Sequence, residues 1–301
     1  MNVQVDTPIS VPGIGKIIEQ RNNKFIKRGF DFKIMVVGAS GLGKTTFMNT
    51  LFSYHLKDVD HQKPVLEKGK TVEIKEHSFE IKMRLTIVDT PGFGDRVNND
   101  QCWEPIVNYI KKQYEDYLIT ESSVDRPFHF ADKRVHLVLY FIAPTGHSLK
   151  PIDIIAMKNI SEHANVVPII AKSDHLTSEE RESFKQRIKK EMAFNEIKLY
   201  PFDFPNENSV EELALNSKIR SFIPFAVVGS ERFVLGNGNN KAGHGRKTRF
   251  GIINIEDETH CEFVPLKSFI METHLQDLID TTSKLHYENY RRHVLSSEDV
   301  K

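Results

Sequence analysis

The chain has 301 residues, enough for one large or two small domains with a substantial buried core. Its 41 basic and 41 acidic residues balance, which argues against a dedicated nucleic-acid binder. Two cysteines, Cys102 and Cys261, in no paired or zinc-like spacing, exclude a disulfide scaffold and a cysteine metal site and point to a reducing cytoplasm.

No apolar run approaches the roughly 18 residues of a spanning helix. The N-terminus lacks the basic-then-apolar order of a secretory signal. Residues up to Gly15 read as mobile, and a short helix is expected from Lys16, with Ile17, Ile18, Phe25 and Ile26 as candidate buried positions. The basic residues Lys16, Arg21, Lys24, Lys27 and Arg28 form a solvated face or a patch for anionic lipid headgroups. Composition alone favours the solvated face, because the cluster barely reaches the four to eight basic residues such a patch needs.

Phe32 to Val37 is expected as the first strand and Lys44 to Tyr54 as the helix after it. Between them, Gly38-Ala39-Ser40-Gly41-Leu42-Gly43-Lys44-Thr45 fits the phosphate-binding pattern G-x-x-x-x-G-K-[ST]. At average glycine usage, a chain of this length matches it by chance on the order of 0.01 times. The glycines let the backbone curl its N–H groups inward at the positive end of a helix dipole. Gly38, Ser40, Gly41, Leu42, Gly43 and Thr46 belong to this cradle, Lys44 reaches the outer phosphates, and the Thr45 hydroxyl suits Mg²⁺.

His55 to Lys70 reads as loop, and Thr71 to Lys75 and Met83 to Val88 as paired strands turning at 76–78. The second strand runs into Asp89-Thr90-Pro91-Gly92. Asp89 is placed for the second Mg²⁺-directed group, and Gly92 leaves its N–H free for a γ-phosphate. After a loop from Gly94 to Asp100, a helix from Gln101 to Tyr117 sets Trp103, Ile106, Val107, Ile110 and Tyr114 on one face as core.

Val135 to Ile142, unbroken and apolar, predicts a central strand covered on both faces. Pro144-Thr145-Gly146-His147 turns at its C-terminal end, the ligand side of such sheets. A helix follows from Ile152 to His163, then a strand from Val166 to Ala171 that ends in Ala171-Lys172-Ser173-Asp174. A carboxylate at Asp174 can accept bonds from guanine N1–H and its 2-amine, neither of which adenine offers, while the Lys172 stem lies over the base. Beyond it come a charged helix from Ser178 to Phe194, a short strand from Ile197 to Tyr200, a helix from Val210 to Ile219 and a strand from Ile223 to Ser230. Phe233 to Arg249 reads as an exposed hairpin and Phe250 to Ile255 as a strand. Pro265 opens a long final helix whose apolar stripe is Leu266, Phe269, Ile270, Leu275, Leu278, Ile279 and Leu285. No room remains after it for an appended coiled coil.

The order phosphate loop, D-T-P-G, A-K-S-D defines a guanine-nucleotide protein of the translation-factor-like GTPase class. Further segments resemble the septins: Val135 to Ile142, Pro144 to His147, Ile223 to Ser230, Thr273-His274-Leu275-Gln276-Asp277-Leu278 and Leu285-His286-Tyr287-Glu288-Asn289-Tyr290. The resemblance runs from about Gly13 to Arg292. Trp103 to Val107 and Gly245 to Arg249 make it closest to fungal septins without a C-terminal coiled coil.

The resemblance implies an α/β fold: a P-loop NTPase three-layer αβα G-domain with a mostly parallel central sheet, plus a septin-type C-terminal hairpin and helix. Residues 1–30 are then an N-terminal extension, 31–262 the G domain and 263–301 the C-terminal helix. It implies GTP or GDP with Mg²⁺, and assembly with other septins into filaments through a nucleotide-pocket interface and an N/C-terminal interface. Such filaments lie at the cell cortex, at division sites or bud necks, and phosphoinositide contact falls to Lys24, Lys27 and Arg28. Position by position, His147 resembles the histidine that reaches a neighbour's nucleotide. Glu180 and His260 resemble its partners across that interface, and Gly229 and Arg246 resemble base contacts.

Two departures stand out. No threonine lies between Thr50 and Thr71, where hydrolysing septins place one; the matching stretch is Lys63-Pro64-Val65-Leu66. Slow or absent turnover is the expectation. Phe250 stands where many septins have tryptophan. A monomeric GTPase switch with real turnover is the competing reading, and Asp174 opposes a P-loop ATPase.

Overall fold

The computed structural model describes residues 29–56, 71–74, 83–90, 92, 101–126, 130–203, 209–234, 243–248 and 251–298. The expected N-terminal helix with Lys24, Lys27 and Arg28, the stretch 63–66, the turn at 76–78, the loop 94–100 and Phe250 lie outside them.

A central sheet has the order β2-β3-β1-β4-β5-β6. Its strands are β1 (Phe30–Gly38), β2 (Thr71–Ile74), β3 (Met83–Asp89), β4 (Leu137–Ile142), β5 (Val166–Ile170) and β6 (Phe225–Ala226). Only the β2–β3 pairing is antiparallel. The helices are α1 (Lys44–Leu56), α2 (Glu104–Ser122), α3 (Pro151–Ser161), α4 (Ser178–Phe194) and α5 (Val210–Phe222).

The unbroken apolar runs explain the layering, since alternate residues of one strand feed opposite cores. Phe32, Ile34 and Val36 of β1, with Leu137, Leu139 and Phe141 of β4, pack on Phe47, Met48 and Leu51 of α1. Met35 and Val37, with Val138, Tyr140 and Ile142, pack on the buried faces of α2, α3 and α4. The expected stripe of α2 is buried at Ile106, Val107, Ile110 and Tyr114.

Three expectations differ from the structure. Ile197 to Tyr200 is not a strand. The place beside β5 is taken by β6, so Ile197 and Tyr200 are buried as apolar filling, and Tyr200 N–H alone reaches Val166 O at 3.2 Å. Within Ile223 to Ser230 only Phe225–Ala226 pairs as strand. The hairpin is part of a three-stranded antiparallel sheet of β7 (Phe233–Val234), β8 (Gly243–Thr248) and β9 (Gly251–Asn254), and Gly243, His244 and Gly245 are buried in it.

The final helix is broken into α6 (Phe263–Ser268), α7 (Leu275–Thr281) and α8 (Glu288–Glu298) by π-helical turns at Phe269–Thr273 and Thr282–Tyr287. Each wider turn shifts the phase of the buried face. Leu275, Ile279 and Leu285 are only half-buried, while His274, Thr281, Thr282, His286 and Tyr287 turn inward. These polar groups have partners. Asn165, just before β5, donates from Nδ2 to His136 O, Leu278 O and Thr282 Oγ1 at 2.9, 3.1 and 3.0 Å. Its Oδ1 lies 3.1 Å from His286 Nε2, and His274 Nε2 lies 3.2 Å from Asn216 Oδ1. The C-terminal segment therefore starts in one core, through Leu266 and Phe269, and ends in the other, through Tyr287.

This polar seam makes stability depend on pH. Burial pushes the His286 pKa down to about 4, and burial lowers His163 and His274 as well. Each folded pKa lies below the unfolded value, so the unfolded chain binds more protons and stability falls as pH drops below about 6.5. Asp132 continues the loss further down: despite burial, His136 Nε2 at 3.3 Å and the hydrogen bonds from Arg134 hold its carboxyl well below the usual range. Asp153, raised by burial, works in the opposite direction at the same end of the scale. For His286 alone the full effect is roughly 3 kcal/mol once its folded pKa is passed. We expect the denaturant midpoint to fall steadily between pH 7 and pH 5; a flat profile contradicts the assignment.

Candidate nucleotide-binding site

The phosphate loop sits between the end of β1 and the start of α1. Its turn requires glycine at Gly41 and Gly43, where φ is +75° and +82°. Gly38 has a second constraint, because a Cβ there would stand 2.6 Å from Phe141 O of the neighbouring strand. Lys44, itself buried, donates from Nζ to Gly38 O at 2.9 Å and Ala39 O at 2.8 Å, which folds it over the loop.

Thr45 Oγ1 donates to Asp89 Oδ2 at 2.7 Å, so the two groups expected to flank a cation touch each other. Asp89 is buried, and its Oδ1 has no hydrogen-bond partner among the described residues. An orphaned carboxylate oxygen beside a hydroxyl suits a hard cation that takes oxygen ligands. Among the described residues no group of three His, Cys, Asp or Glu side chains could hold a metal ion by itself. Gly92 approaches the loop so closely that a Cβ would come within 2.4 Å of Ser40 Cα and N.

The base side is built from two loops. Lys172 has φ +48°, an unusual conformation for a non-glycine residue, stabilised where His175 N–H closes onto its carbonyl at 3.0 Å. Its stem passes near Gly43, whose Cβ would lie 3.9 Å from Lys172 Cε. The Asp174 side chain is 3% exposed; Oδ2 is 3.1 Å from Arg246 Nη1, and Oδ1 is buried with no hydrogen-bond partner among the described residues. Arg246, on β8, thus already holds one of the oxygens that a guanine would claim. Gly229 lies against α1, where a Cβ would stand 3.0 Å from Phe47 Cα.

A cavity of about 1210 Å³ is lined by Ser40 to Thr46, Asp89, Gly92, Lys172, Gly229 and Arg246, among others. His147, Glu180 and His260 lie outside it, yet all three connect to α4. His147 is exposed, and Arg187 of α4 donates to Gly146 O and His147 O at 3.1 and 3.3 Å. Glu180 stands in the first turn of α4, where its Oε2 accepts from Thr177 N–H at 2.9 Å in a capping box. That bond holds its carboxyl below the usual range. His260 accepts at Nδ1 from Asn254 N–H (3.1 Å), and its carbonyl accepts from Arg181 of α4 (3.1 Å).

Sequence reasoning missed Thr50, whose hydroxyl accepts from Ser230 N–H at 3.1 Å and pins the segment after Gly229. A threonine inside a helix carries no signal for that role. It also missed Phe141, whose carbonyl makes Gly38 necessary. Only the strand register reveals it.

The fold and the loops together define a P-loop protein of the guanine-nucleotide-binding class. The septin family model matches residues 28–301, and the chain belongs to the septin family, whose members are GTP-binding cytoskeletal proteins. It is 50% identical over 294 residues to the septin homolog spn2 of Schizosaccharomyces pombe, covering 95% of this chain and 87% of that protein. It is 50% identical to the neuronal-specific septin-3 of Bos taurus, covering 93% and 79%, and 47% identical to cell division control protein 10 of Candida albicans, covering 94% and 80%. Among solved structures, Cdc11 of Saccharomyces cerevisiae matches with TM-score 0.57 and 30% identity over 88% of this chain and all of that one. The septin GTPase domain of Chlamydomonas reinhardtii shares the fold, with TM-score 0.68 and 23% identity over 87% of this chain and 98% of that one.

Proposed function

We propose that this septin holds guanine nucleotide as a fixed part of a polymer interface and assembles with other septins into filaments. The observation that carries the reading is a pair of buried carboxylate oxygens without hydrogen-bond partners among the described residues: Asp89 Oδ1 on the cavity wall, and Asp174 Oδ1, whose carboxylate touches Arg246 of the same wall. One awaits a cation and the other awaits a donor such as guanine N1–H. Lys44, Gly43 and Thr45 hold the phosphates, and Thr45 and Asp89 would hold Mg²⁺. Lys172 and Asp174 read the base, with Gly229 behind it. Arg246, which lines the cavity beside Asp174, is assigned to base contact.

The lack of a threonine between Thr50 and Thr71 supports a clasp over an engine: GTP is turned over slowly or not at all. His147, Glu180 and His260, all tied to α4, form the surface that meets a neighbouring subunit. The C-terminal segment, locked across both cores, supplies the other interface. Residues Lys24, Lys27 and Arg28 are assigned to phosphoinositide contact. Likeness to a protein named for cell division control supports a place at the cell cortex, at a division site or bud neck. Lowering the salt should carry purified protein, mixed with its partner septins, into sedimenting filaments visible by electron microscopy. Subunits that stay monomeric at every salt concentration are incompatible with the proposal and favour a monomeric switch.

A further inference from the structure

Among the described residues β6 is an edge strand, paired with β5 on one side only. On its open side a single residue replaces the missing neighbour. Ala226 N–H donates to Glu262 Oε2 at 2.7 Å, and Ala226 O accepts from Glu262 N–H at 2.8 Å. The other carboxylate oxygen, Oε1, accepts from Lys185 Nζ of α4 at 2.6 Å, with the two side chains 13% and 4% exposed. One turn earlier on α4, Arg181 grips His260 O.

The next residue faces the other way. Val227 N–H donates to Ile170 O at 3.0 Å, and Val227 O accepts from Ser173 N–H at 3.1 Å. Ser173 stands between Lys172 and Asp174, the two groups assigned to the base. A continuous set of bonds therefore runs from Lys185 through Glu262, Ala226 and Val227 to the loop carrying Asp174.

We propose that Glu262 and Lys185 are positioning residues for guanine recognition, fixing the height of Ala226–Val227 and so the place of Asp174. The assignment rests on the guanine-site reading above. Packing alone does not account for the pair. A buried ion pair is often matched or bettered by apolar residues of the same volume. Apolar residues cannot offer an oriented acceptor to Ala226 N–H.

The test compares GDP with inosine diphosphate, which lacks the 2-amine and so loses one bond to Asp174. Their affinity ratio reads the placement of Asp174. In the full chain, E262A should lower that ratio by about tenfold, the scale of one lost bond to a charged group. The double variant K185M/E262Q keeps an acceptor oxygen for Ala226 without a facing ammonium, and should restore the ratio to within about twofold. Unfolding midpoints measured in parallel separate the two roles, because a merely structural pair lowers the midpoint and leaves the ratio alone. E262A with the wild-type ratio overturns the proposal. Should E262A fail to fold, K185M carries the test: a drop of about threefold supports it and an unchanged ratio overturns it. Wild-type protein that ignores guanine nucleotides would instead overturn the site reading itself.

Discussion

Asp174→Asn should lose GTP by at least about 100-fold and gain xanthosine triphosphate in its place. Guanine presents two donors, N1–H and the 2-amine, to a carboxylate. In this chain that carboxylate is buried, with Oδ1 unpartnered and Oδ2 touched only by Arg246 among the described residues. An asparagine turns one of those acceptors into a donor and leaves two donors facing each other without water between them. Xanthine carries an oxygen at position 2, which the new amide can address. The large effect follows from burial, since an exposed carboxylate would be replaced by solvent at little cost. Equilibrium binding of labelled GTP and xanthosine triphosphate to both proteins checks it. Wild-type GTP affinity in the variant would remove Asp174 from the base site.

Arg134→Ala should cost about 3–5 kcal/mol of stability, the scale of a buried ion pair broken from one side. Arg134 is 3% exposed. It donates to Asp132 through Nε at 3.0 Å and Nη2 at 2.6 Å, in the fork geometry that lysine cannot reproduce. Its guanidinium carbon lies 3.8 Å from the Tyr117 ring centroid and 4.9 Å from that of Tyr287. Tyr117 belongs to α2 and Tyr287 to the C-terminal segment, so one cation joins the two. Truncation strands Asp132 and loosens the segment assigned to the N/C-terminal interface. Arg134→Lys keeps the charge and should recover only part of the loss. Denaturation should show the lowered midpoint, and filament assembly should weaken with it; a wild-type midpoint in the alanine variant would contradict this role.

The parts of the molecule that were legible in the sequence are those with a local cause. The glycines at 41 and 43 need positive φ, so the phosphate loop is visible in its spacing. The runs of β1 and β4 are apolar on both faces because both faces are covered. Asp89 and Asp174 were placed by strand ends and motif order. What remained hidden depends on register and on polar partners far along the chain. Nothing near Leu285 announces that two π-helical turns bury His286 in its place, because its partner is Asn165, just before β5 and far away in sequence. Ile197 to Tyr200 reads as a strand by composition, and only the occupancy of the β5 edge by β6 denies it. Glu262 gave no signal either, since its partners Lys185 and Ala226 are distant in sequence.

The central claim is that the phosphate loop clasps GTP as a lasting part of the subunit. Denaturing the purified protein and separating the released nucleotide by ion-exchange chromatography tests it most directly. The expected result is guanine nucleotide in stoichiometric amount, present as the triphosphate. An empty protein, an adenine nucleotide, or GDP formed from GTP on the protein would contradict it.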